Sequence, residues 1–366
     1  MEKMKILAFT KYSYAGPSSR YRFYNYKDCF KKEGIELIIK PLFTKKYFVA
    51  KGKIPKALIV LKAYISRFFL LLKLLLFKDY EIVLIEYELF PYFFAIFERL
   101  LRARGIKYIV DYDDAIFHKY DLSKNRLIRF FLKDKIAKVI KSANLVIVCN
   151  DYLKDYAKKY NSNLLQLPTV VLLDRYKAVL NSFKKESDKF IIGWIGSKTT
   201  SIYILEILPV IEEFVKKYSD VEFNLIGFDK NLLSSDELKR YHINIIPWSE
   251  ESEIKEICKF DVGIMPLHDD AWSRGKCGFK LVQYMSCGKP LIASPVGINC
   301  NIIEDGVNGF LVKSHKEWFN AFEILHNDKN LRDKMSKENF LRVEQKFSYN
   351  KNCKMYIDAI EEIKDE

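Results

Sequence analysis

Three basic side chains, Arg274, Lys276 and Lys280, stand among glycines in the stretch SRGKCGFK. Backbone N–H groups of a glycine-rich turn that leads into a helix bind phosphate oxygens, and nearby cations neutralise a diphosphate. These residue types therefore indicate a phosphate site, although a solvated loop with a basic edge would have the same composition. Neither GxGxxG nor GxxxxGK followed by Ser or Thr occurs, so neither a nicotinamide-binding motif nor a P-loop is indicated.

Carboxylates follow the apolar run KYIVDYD, where Asp113 and Asp114 are consecutive. A carboxylate at a strand end can orient or deprotonate a hydroxyl group, and we expect this catalytic role at Asp113 or Asp114. Asp111-Tyr-Asp113 is also a D-x-D pattern, which suits a divalent cation. A helix N-cap with a solvated carboxylate explains the same residues without any chemistry.

Alternating strand-like and helix-like segments must position these residues. Short apolar runs such as KILAFT, EIVLIEYEL, FIIGWIG and DVGIMPL alternate with amphipathic stretches, among them Phe93–Arg104 and Leu127–Ala143. This rhythm predicts an α/β fold with two Rossmann-like, doubly wound parallel domains. Ligands of such sheets bind outside the carboxyl ends of the strands, so the loops after these runs are the expected sites, in a cleft where the two domains face each other.

The length of 366 residues favours two domains. We expect an N-terminal domain over residues 1–170, a linker over 171–188 and a C-terminal domain over 189–345 that contains the stretch SRGKCGFK. The amphipathic tail 346–366 is expected to be a helix that crosses back to the N-terminal domain.

A basic segment lies between the first strands. Residues 51–78 contain seven Lys or Arg and no Asp or Glu, and apolar residues recur along one face of a helix over 54–77. The line Lys56, Arg67 and Lys78 is expected on the basic side. This pattern is typical of a helix that lies on an anionic membrane surface, although a packed helix with a lysine-rich solvent face is the alternative.

The net charge of +14 favours an anionic partner. No motif typical of nucleic-acid binding accompanies it, so nucleic acid is not an expected partner. The seven cysteines show no CxxC spacing and are expected to be reduced thiols of a cytoplasmic protein, without a zinc site. The N-terminus begins directly with a strand-like run, so no signal peptide is expected.

Several motifs resemble bacterial glycosyltransferases of the GT-B fold, family 4 type. They are DVGIMPL, GKCGFKLVQYMSCGKPLIASPVG and EDGVNGFLV, with weaker matches at GWIGSKTTSIYIL, VDYDDAIF and GPSSRYR. The resemblance implies a retaining, metal-independent transfer of a sugar from a nucleoside diphosphate, UDP or GDP. The departing diphosphate itself accepts the acceptor's proton, and no cofactor is required.

The resemblance also assigns donor contacts. Lys280 is expected to stabilise the leaving group catalytically, sharing the diphosphate with Lys198, while Gln283 takes the place of a glutamate that holds the ribose. Gly275 replaces a second glutamate that contacts the sugar, and His268, Asp269 or Asp270 are candidates to substitute for it. The full set of expected donor-binding residues is Gly16, Gly196, Ser197, Lys198, Arg274, Lys276, Gly278, Phe279, Lys280 and Gln283.

Acceptor contacts are expected in the N-terminal half, where Ser19, Arg20 and Arg22 suit a phosphorylated acceptor and Glu88 follows a strand. The basic helix favours a lipid-linked acceptor, as in lipopolysaccharide or other surface polysaccharide synthesis, and a peripheral location on the inner face of the cell membrane. Three alternatives stay open: a metal-dependent GT-A transferase that uses Asp111 and Asp113, a non-catalytic membrane-bound member of the fold, and a nucleotide-sugar epimerase.

Overall fold

The computed structural model describes residues 4–50, 52–185 and 187–365, with Lys53 described only in its backbone. The chain forms two compact units. The N-terminal unit comprises Met1–Thr169, Gly275–Cys277 and Tyr349–Glu366, and the C-terminal unit comprises Val170–Arg274 and Gly278–Ser348. Each contains a parallel six-stranded sheet, which confirms the predicted α/β fold with two Rossmann-like units.

The first sheet has the strand order β2-β1-β3-β4-β5-β6. Its strands are β1 Met4–Tyr12, β2 Ile35–Phe43, β3 Ile82–Glu86, β4 Lys107–Tyr112, β5 Leu145–Val148 and β6 Leu164–Gln166. The apolar runs that predicted β1, β3, β4 and β5 are buried in the sheet, because both of its faces are covered by helices. The chain runs from β1 to one side and then returns to the other, so the switch point lies between β1 and β3.

The helices of the N-terminal unit cover both faces of this sheet. They are α1 Pro17–Arg22, α2 Lys27–Lys32, α3 Lys45–Val49, α4 Lys53–Phe77, α5 Ile96–Ala103, α6 His118–Asp121, α7 Arg126–Leu132, α8 Lys135–Ser142, α9 Asp151–Ala157 and, at the C-terminus, α20 Tyr349–Asp365. The predicted single helix over 127–143 is wrong, because the chain breaks at Lys133 and Asp134 into α7 and α8. The break lets Lys135 turn inward to a buried ion pair with Glu88.

Helix α4 confirms the predicted helix over 54–77, but not all of its predicted faces. Leu71 and Leu74 pack into the core. Arg67, expected on the basic outer side, is buried and donates hydrogen bonds to the carbonyl oxygens of Thr10 (2.6 Å), Lys40 (2.8 Å) and Leu89 (3.2 Å). Burial lowers the pKa of Arg67 to about 9. Arg67 therefore links three backbone segments inside the N-terminal unit. None of the helices in the described residues is long and apolar enough to cross a membrane.

The second sheet has the order β12-β11-β10-β7-β8-β9, with its switch point between β7 and β10. Its strands are β7 Phe190–Ile195, β8 Val221–Ile226, β9 Ile243–Ile246, β10 Val262–Met265, β11 Leu291–Ala293 and β12 Gly309–Leu311. Alternate residues of β7 enter opposite cores: Ile192 and Trp194 lie in one apolar cluster, Ile191 and Ile195 in the other. This two-sided burial explains why the strand is apolar throughout.

The C-terminal unit has ten helices in the described residues. They are α10 Leu173–Ser182, α11 Ile202–Leu205, α12 Leu208–Lys217, α13 Ser235–Arg240, α14 Glu253–Cys258, α15 Ala271–Arg274, α16 Phe279–Ser286, α17 Asn299–Ile302, α18 His315–Asn327 and α19 Lys329–Lys346. The segment 171–188, expected as a linker, contains α10, whose Tyr176 packs into the core. Glu186 of that segment, like Met1–Lys3, Lys51 and Glu366 of other predicted segments, lies outside the described residues.

Two cysteines of the N-terminal unit are joined. Cys29 of α2 and Cys353 of α20 form a disulfide with a Cα–Cα distance of 6.4 Å. The expectation of seven reduced cysteines is therefore wrong for this pair. The isolated positions of Cys29 and Cys353, 324 residues apart, offered no spacing pattern from which the disulfide could be predicted.

Candidate functional site

The candidate donor site lies at the switch point of the C-terminal sheet. Strands β7 and β10 are neighbours, and their following segments run in opposite directions from the same edge. Such a divergence leaves a crevice at the carboxyl ends of the two strands. The loop Gly196–Thr200 follows β7, and α16 is the second helix after β10, preceded by α15. Two of the predicted phosphate-binding segments therefore belong to one crevice.

The loop after β7 is shaped by its glycine and its hydroxyl groups. A Cβ on Gly196 would lie 2.2 Å from the Trp194 ring, so only glycine fits there. Ser197 and Thr200 form a capping box around a 3-10 turn, which fixes the backbone, while the side chain of Lys198 is exposed. The loop thus presents one cation and several hydroxyl and N–H groups at the edge of the sheet.

Helix α16 begins after a glycine whose backbone lies in the left-handed region. Gly278 has φ +67°, a conformation that favours glycine, and a Cβ there would lie 2.6 Å from Ile302. Two residues later the ammonium of Lys280 lies 4.4 Å from the centre of the Trp194 ring, a cation–π contact that links α16 to the end of β7. Gln283 is buried one turn further on, and Phe279 is half-buried. Lys280 is therefore held at the switch point.

The residues before α16 are engaged with one another. Arg274 pairs with Asp269, Nε to Oδ1 at 2.6 Å, at an exposed position. Asp270 accepts a hydrogen bond from the backbone N–H of Ser273 at 2.6 Å, and Nδ1 of His268 contacts the Glu206 carboxylate. The candidates to replace the missing glutamate thus already have protein partners.

The glycine at position 275, where the resemblance implies a glutamate, has a steric explanation. Residues Gly275–Cys277 group with the N-terminal unit, and a Cβ on Gly275 would lie 2.3 Å from the Cβ of Ala115. A glutamate does not fit at this position. Gly16 is similar, since a Cβ there would lie 2.5 Å from the Cβ of Tyr12. Packing alone therefore accounts for Gly16, which was expected to admit the diphosphate.

In the N-terminal unit, acidic groups meet at the carboxyl ends of β3 and β4. Asp113 is buried and accepts a short hydrogen bond from the Tyr87 hydroxyl. Asp114 is partly exposed. Burial and the neighbouring Asp113 raise the pKa of Asp114 to about 6, against the opposing charges of Lys276 and two further lysines. Of the two predicted bases, Asp114 is the one whose side chain is partly exposed to solvent.

The two further lysines, Lys11 and Lys119, were missed by the sequence analysis. Lys11 lies near the end of β1, its ammonium 5.2 Å from the Tyr12 ring, and its charge acts on Lys119 in α6. Burial and the charge of Lys11 lower the pKa of Lys119 to about 8. Nothing in the spacing of these two lysines, 108 positions apart, predicts that they meet.

The predicted acceptor contacts are instead internal. Arg22 is buried and makes a bidentate ion pair with Asp111, 2.9 Å and 2.7 Å, while its other nitrogen donates to the Leu167 and Pro168 carbonyls. Ser19 is buried and donates to Glu86 at 2.6 Å. These contacts argue against the acceptor roles expected for Ser19 and Arg22.

Arg20 and Glu88 are also buried. The Arg20 guanidinium lies over the Tyr21 ring at 4.9 Å. The Glu88 carboxylate accepts a hydrogen bond from the Tyr120 hydroxyl at 2.7 Å and forms an ion pair with Lys135. Neither side chain presents a surface to an acceptor. Arg20 and Arg22, which were predicted to bind the acceptor, are therefore buried, while the side chains of Lys11, Lys119 and Asp114 are partly exposed.

A D-x-D metal site is not supported by the geometry. Asp111 is neutralised by Arg22, and Asp113 is bonded to Tyr87. Among the described residues, no three His, Cys, Asp or Glu side chains lie together as a metal site would require. The carboxyl edge of the C-terminal sheet can bind an anion beside Lys280. The carboxyl edge of the N-terminal sheet carries the carboxylate of Asp114.

The chain is similar to known proteins in the sequence of its C-terminal unit and in its fold. The family "Glycosyl transferases group 1" matches residues 189–328. A probable sucrose-phosphate synthase from Thermosipho melanesiensis is 29% identical over 84 residues, a stretch that covers 23% of this chain and only 19% of that protein. The residues matched by this family model include strands β7 to β12 and the crevice between β7 and β10.

Two solved structures show the same fold over nearly the full length. Sucrose-phosphate synthase from Thermosynechococcus elongatus superposes with a TM-score of 0.69 at 14% identity, covering 99% of both chains. HepE from Anabaena, solved with UDP, has a TM-score of 0.69 at 13% identity and covers 98% of this chain and 100% of its own. The fold is therefore that of GT-B glycosyltransferases, as expected.

Proposed function

We propose that this protein transfers a sugar from a nucleoside diphosphate donor to a glycan or lipid-linked acceptor. The observation that carries the proposal is the position of Lys280. It lies against Trp194 at the switch point of a domain that matches group 1 glycosyltransferases. A cation there, with the first N–H groups of α16 and the exposed Lys198, suits a diphosphate.

The chemistry follows from charge. Cleavage of the sugar–phosphate bond builds positive charge at the anomeric carbon and negative charge on the leaving diphosphate, which Lys280 and Lys198 stabilise. The acceptor proton passes to the departing phosphate oxygen on the same face of the sugar, so the anomeric configuration is retained. Asp114, whose pKa is raised to about 6, is ionised at neutral pH and orients the acceptor hydroxyl. No step requires a metal or another cofactor.

The donor is proposed to be UDP-linked, with GDP as the alternative. HepE was solved with UDP and glucose, and the pneumococcal O-GlcNAc transferase GtfA was solved with UDP and GlcNAc. The buried Gln283 of α16 takes the ribose hydroxyls, because an amide both donates and accepts. The other proposed donor contacts are Gly196, Ser197, Arg274, Lys276, Gly278 and Phe279.

A lipid-linked acceptor and a peripheral place on the inner face of the cell membrane are proposed from α4. Its residues Ile54, Leu58, Leu61 and Ile65 are exposed, and the helix contains no acidic residue. An exposed apolar stripe with flanking lysines suits the interface of an anionic bilayer. Synthesis of bacterial surface polysaccharide or lipopolysaccharide supplies acceptors of this type. The non-catalytic alternative predicts nucleotide binding without turnover.

Nucleotide binding by Lys280→Ala tests the proposal. The diphosphate contact predicts a loss of about tenfold or more in UDP affinity by calorimetry, equal to about 1.4 kcal/mol, with uridine binding unchanged. Lys316→Ala, at an exposed lysine of α18, is the matched control. Unchanged UDP affinity in the Lys280 variant would remove the basis of the assignment. NMR of the product anomer tests retention, and activity in EDTA tests metal independence.

A further inference from the structure

Exposed apolar side chains of the N-terminal unit extend beyond α4. Helix α7 carries Leu127, Phe130 and Phe131, which are 68%, 74% and 56% exposed. These positions are spaced i, i+3 and i+4, so they share one face of the helix. The turn before α5 exposes Tyr92, Phe93, Phe94 and Ile96 in the same way. Neither segment contributes to the candidate site or to the core through these side chains.

The three segments form one continuous surface. Phe68 of α4 lies 6.0 Å from Phe97, and Phe97 lies 5.9 Å from Phe93 by ring centroids. Tyr64 of α4 donates a hydrogen bond to the carbonyl of Pro91 at 2.6 Å, which fixes the turn against the helix.

The same turn reaches α7 on its other side. A cavity of about 150 Å³ is lined by Phe94 and Ile96 together with Phe131 and Leu132 of α7. Phe131 lies 5.0 Å from Phe130. The apolar surface therefore runs without interruption from α4 through the turn to α7. We call this surface, made of α4, residues 92–97 and α7, the apolar face.

Positive charge borders the apolar face at α7, as it does along α4. The segment 122–133, LSKNRLIRFFLK, has four cations, Lys124, Arg126, Arg129 and Lys133, and no acidic residue. All four are exposed. Arg99 and Lys138 line the rim of the cavity between the turn and α7.

We propose that α7 and residues 92–97 are a second membrane contact, which together with α4 docks the N-terminal unit onto an anionic lipid bilayer through the apolar face. This deepens the membrane association in the proposed function and rests on it. Phenylalanines enter the boundary between head groups and acyl chains, while the surrounding Lys and Arg contact lipid phosphates. Protein–protein interfaces are depleted in Lys, so the lysines beside the apolar face favour a bilayer over a second protein surface.

Two contacts constrain orientation as well as affinity. A single amphipathic helix can roll and pivot on a membrane, whereas contacts at α4 and α7 define a plane. The carboxyl edge of the N-terminal sheet, which holds Asp114, then keeps a fixed height and tilt relative to the lipid head groups. A lipid-linked acceptor hydroxyl would consequently be presented at a constant position.

Vesicle flotation of the full chain tests the second contact. Phosphatidylcholine vesicles with and without phosphatidylglycerol are the probes, and the key variant is L127S/F130S/F131S. We expect wild type to float with the anionic vesicles and the variant to bind them at least about tenfold more weakly, because three exposed apolar side chains are lost. Arg126→Gln with Lys133→Gln should weaken binding to anionic vesicles and reduce its dependence on salt.

Matched controls separate this result from a folding defect. I324S/L341S removes apolar residues of the C-terminal unit that are 44% and 51% exposed, and it should float like wild type. Circular dichroism and the UDP-induced rise in melting temperature should be unchanged in all variants.

Three results would overturn the proposal. They are vesicle binding by the α7 variant at wild-type strength, failure of wild type to bind anionic vesicles, and conversion of a wild-type dimer to a monomer by the α7 substitutions with vesicle binding unaltered. Vesicle binding that depends on α7 in a protein that does not bind UDP would instead refute the proposed function and leave the membrane surface standing.

Discussion

Glu86→Gln should remove a large pH dependence from the stability of the N-terminal unit. Glu86 ends β3 and is 1% exposed. Its Oε2 accepts hydrogen bonds from the Ser19 hydroxyl at 2.6 Å and from the Lys11 backbone N–H at 2.8 Å. Its Oε1 makes no hydrogen bond within the described residues. Burial raises the pKa of this carboxyl group from 4.5 to about 8.

The sign and size of the effect follow from proton linkage. Because the folded protein keeps the Glu86 proton to a higher pH than the unfolded chain, the folded state binds more protons between pH 4.5 and 8. The unfolding free energy therefore falls as pH rises through this window. At about 1.4 kcal/mol for each pKa unit, the loss is at most about 5 kcal/mol. Glutamine has no proton to lose, so the variant lacks this contribution.

The assay must report on the N-terminal unit alone. All four tryptophans, Trp194, Trp248, Trp272 and Trp318, belong to the C-terminal unit. Their fluorescence is therefore an internal control, and hydrogen exchange of the β3 amides reports on the N-terminal unit. The difference in unfolding free energy between variant and wild type should shift in favour of the variant as pH rises from 4.5 to 8, while the tryptophan transition keeps its wild-type pH dependence.

Glu81→Gln is the matched control, since Glu81 is exposed just before β3 and accepts a hydrogen bond from the Lys5 backbone N–H at 2.8 Å. It should leave the pH dependence unchanged. A constant difference between Glu86→Gln and wild type over the whole pH range would show that Glu86 is ionised when buried, and the reasoning from burial would then be wrong.

Three further substitutions test the architecture. Gly275→Glu should lower the melting temperature by overpacking against Ala115, at a cost of about 1–3 kcal/mol, and should not improve sugar binding; increased transfer without destabilisation would contradict the steric explanation. Arg22→Ala should destabilise the N-terminal unit by about 3–5 kcal/mol, because Asp111 is left buried and unpaired; denaturant unfolding measures this, and the additional substitution Asp111→Leu should recover part of the loss. Cys29→Ser should lower stability by about 2–5 kcal/mol, and dithiothreitol should lower the melting temperature of wild type but not of this variant.

The strands could be predicted from the sequence because burial imposes a local pattern. A strand covered on both faces must be apolar throughout, as in FIIGWIG. Such a continuous apolar run can be recognised in the sequence without knowledge of any tertiary contact. Helix α4 was predictable for the same reason, since its exposed stripe recurs at helical spacing. The break between α7 and α8 was not, and the ion pair that Lys135 makes at the start of α8 is with Glu88, 47 positions away in the sequence, where no local pattern reveals it.

Charged residues of the N-terminal unit were the hardest to place. Arg22 and Arg67 looked like surface cations, yet each satisfies backbone carbonyls or a carboxylate inside the unit. A sequence shows that a cation is present but not whether a distant acceptor will meet it. The approach of Lys11 to Lys119 is hidden for the same reason. In the C-terminal unit, by contrast, the glycines and the helix start beside Lys280 are adjacent to it in the chain, and its ammonium lies against the Trp194 ring of β7.

The burial of charged groups in the N-terminal unit also decides which carboxylate we propose as the group that orients the acceptor hydroxyl. A group that orients a hydroxyl must be ionised and reachable at neutral pH. Glu86 is fully buried with a pKa near 8, and Asp113 is committed to Tyr87. Asp114 satisfies both conditions, with a pKa near 6 and partial exposure. Transfer should therefore decline as pH falls below about 6, and Asp114→Asn should abolish that decline while lowering the rate. An unchanged acid limb in a pH–rate profile of the Asp114 variant would assign the role to another group.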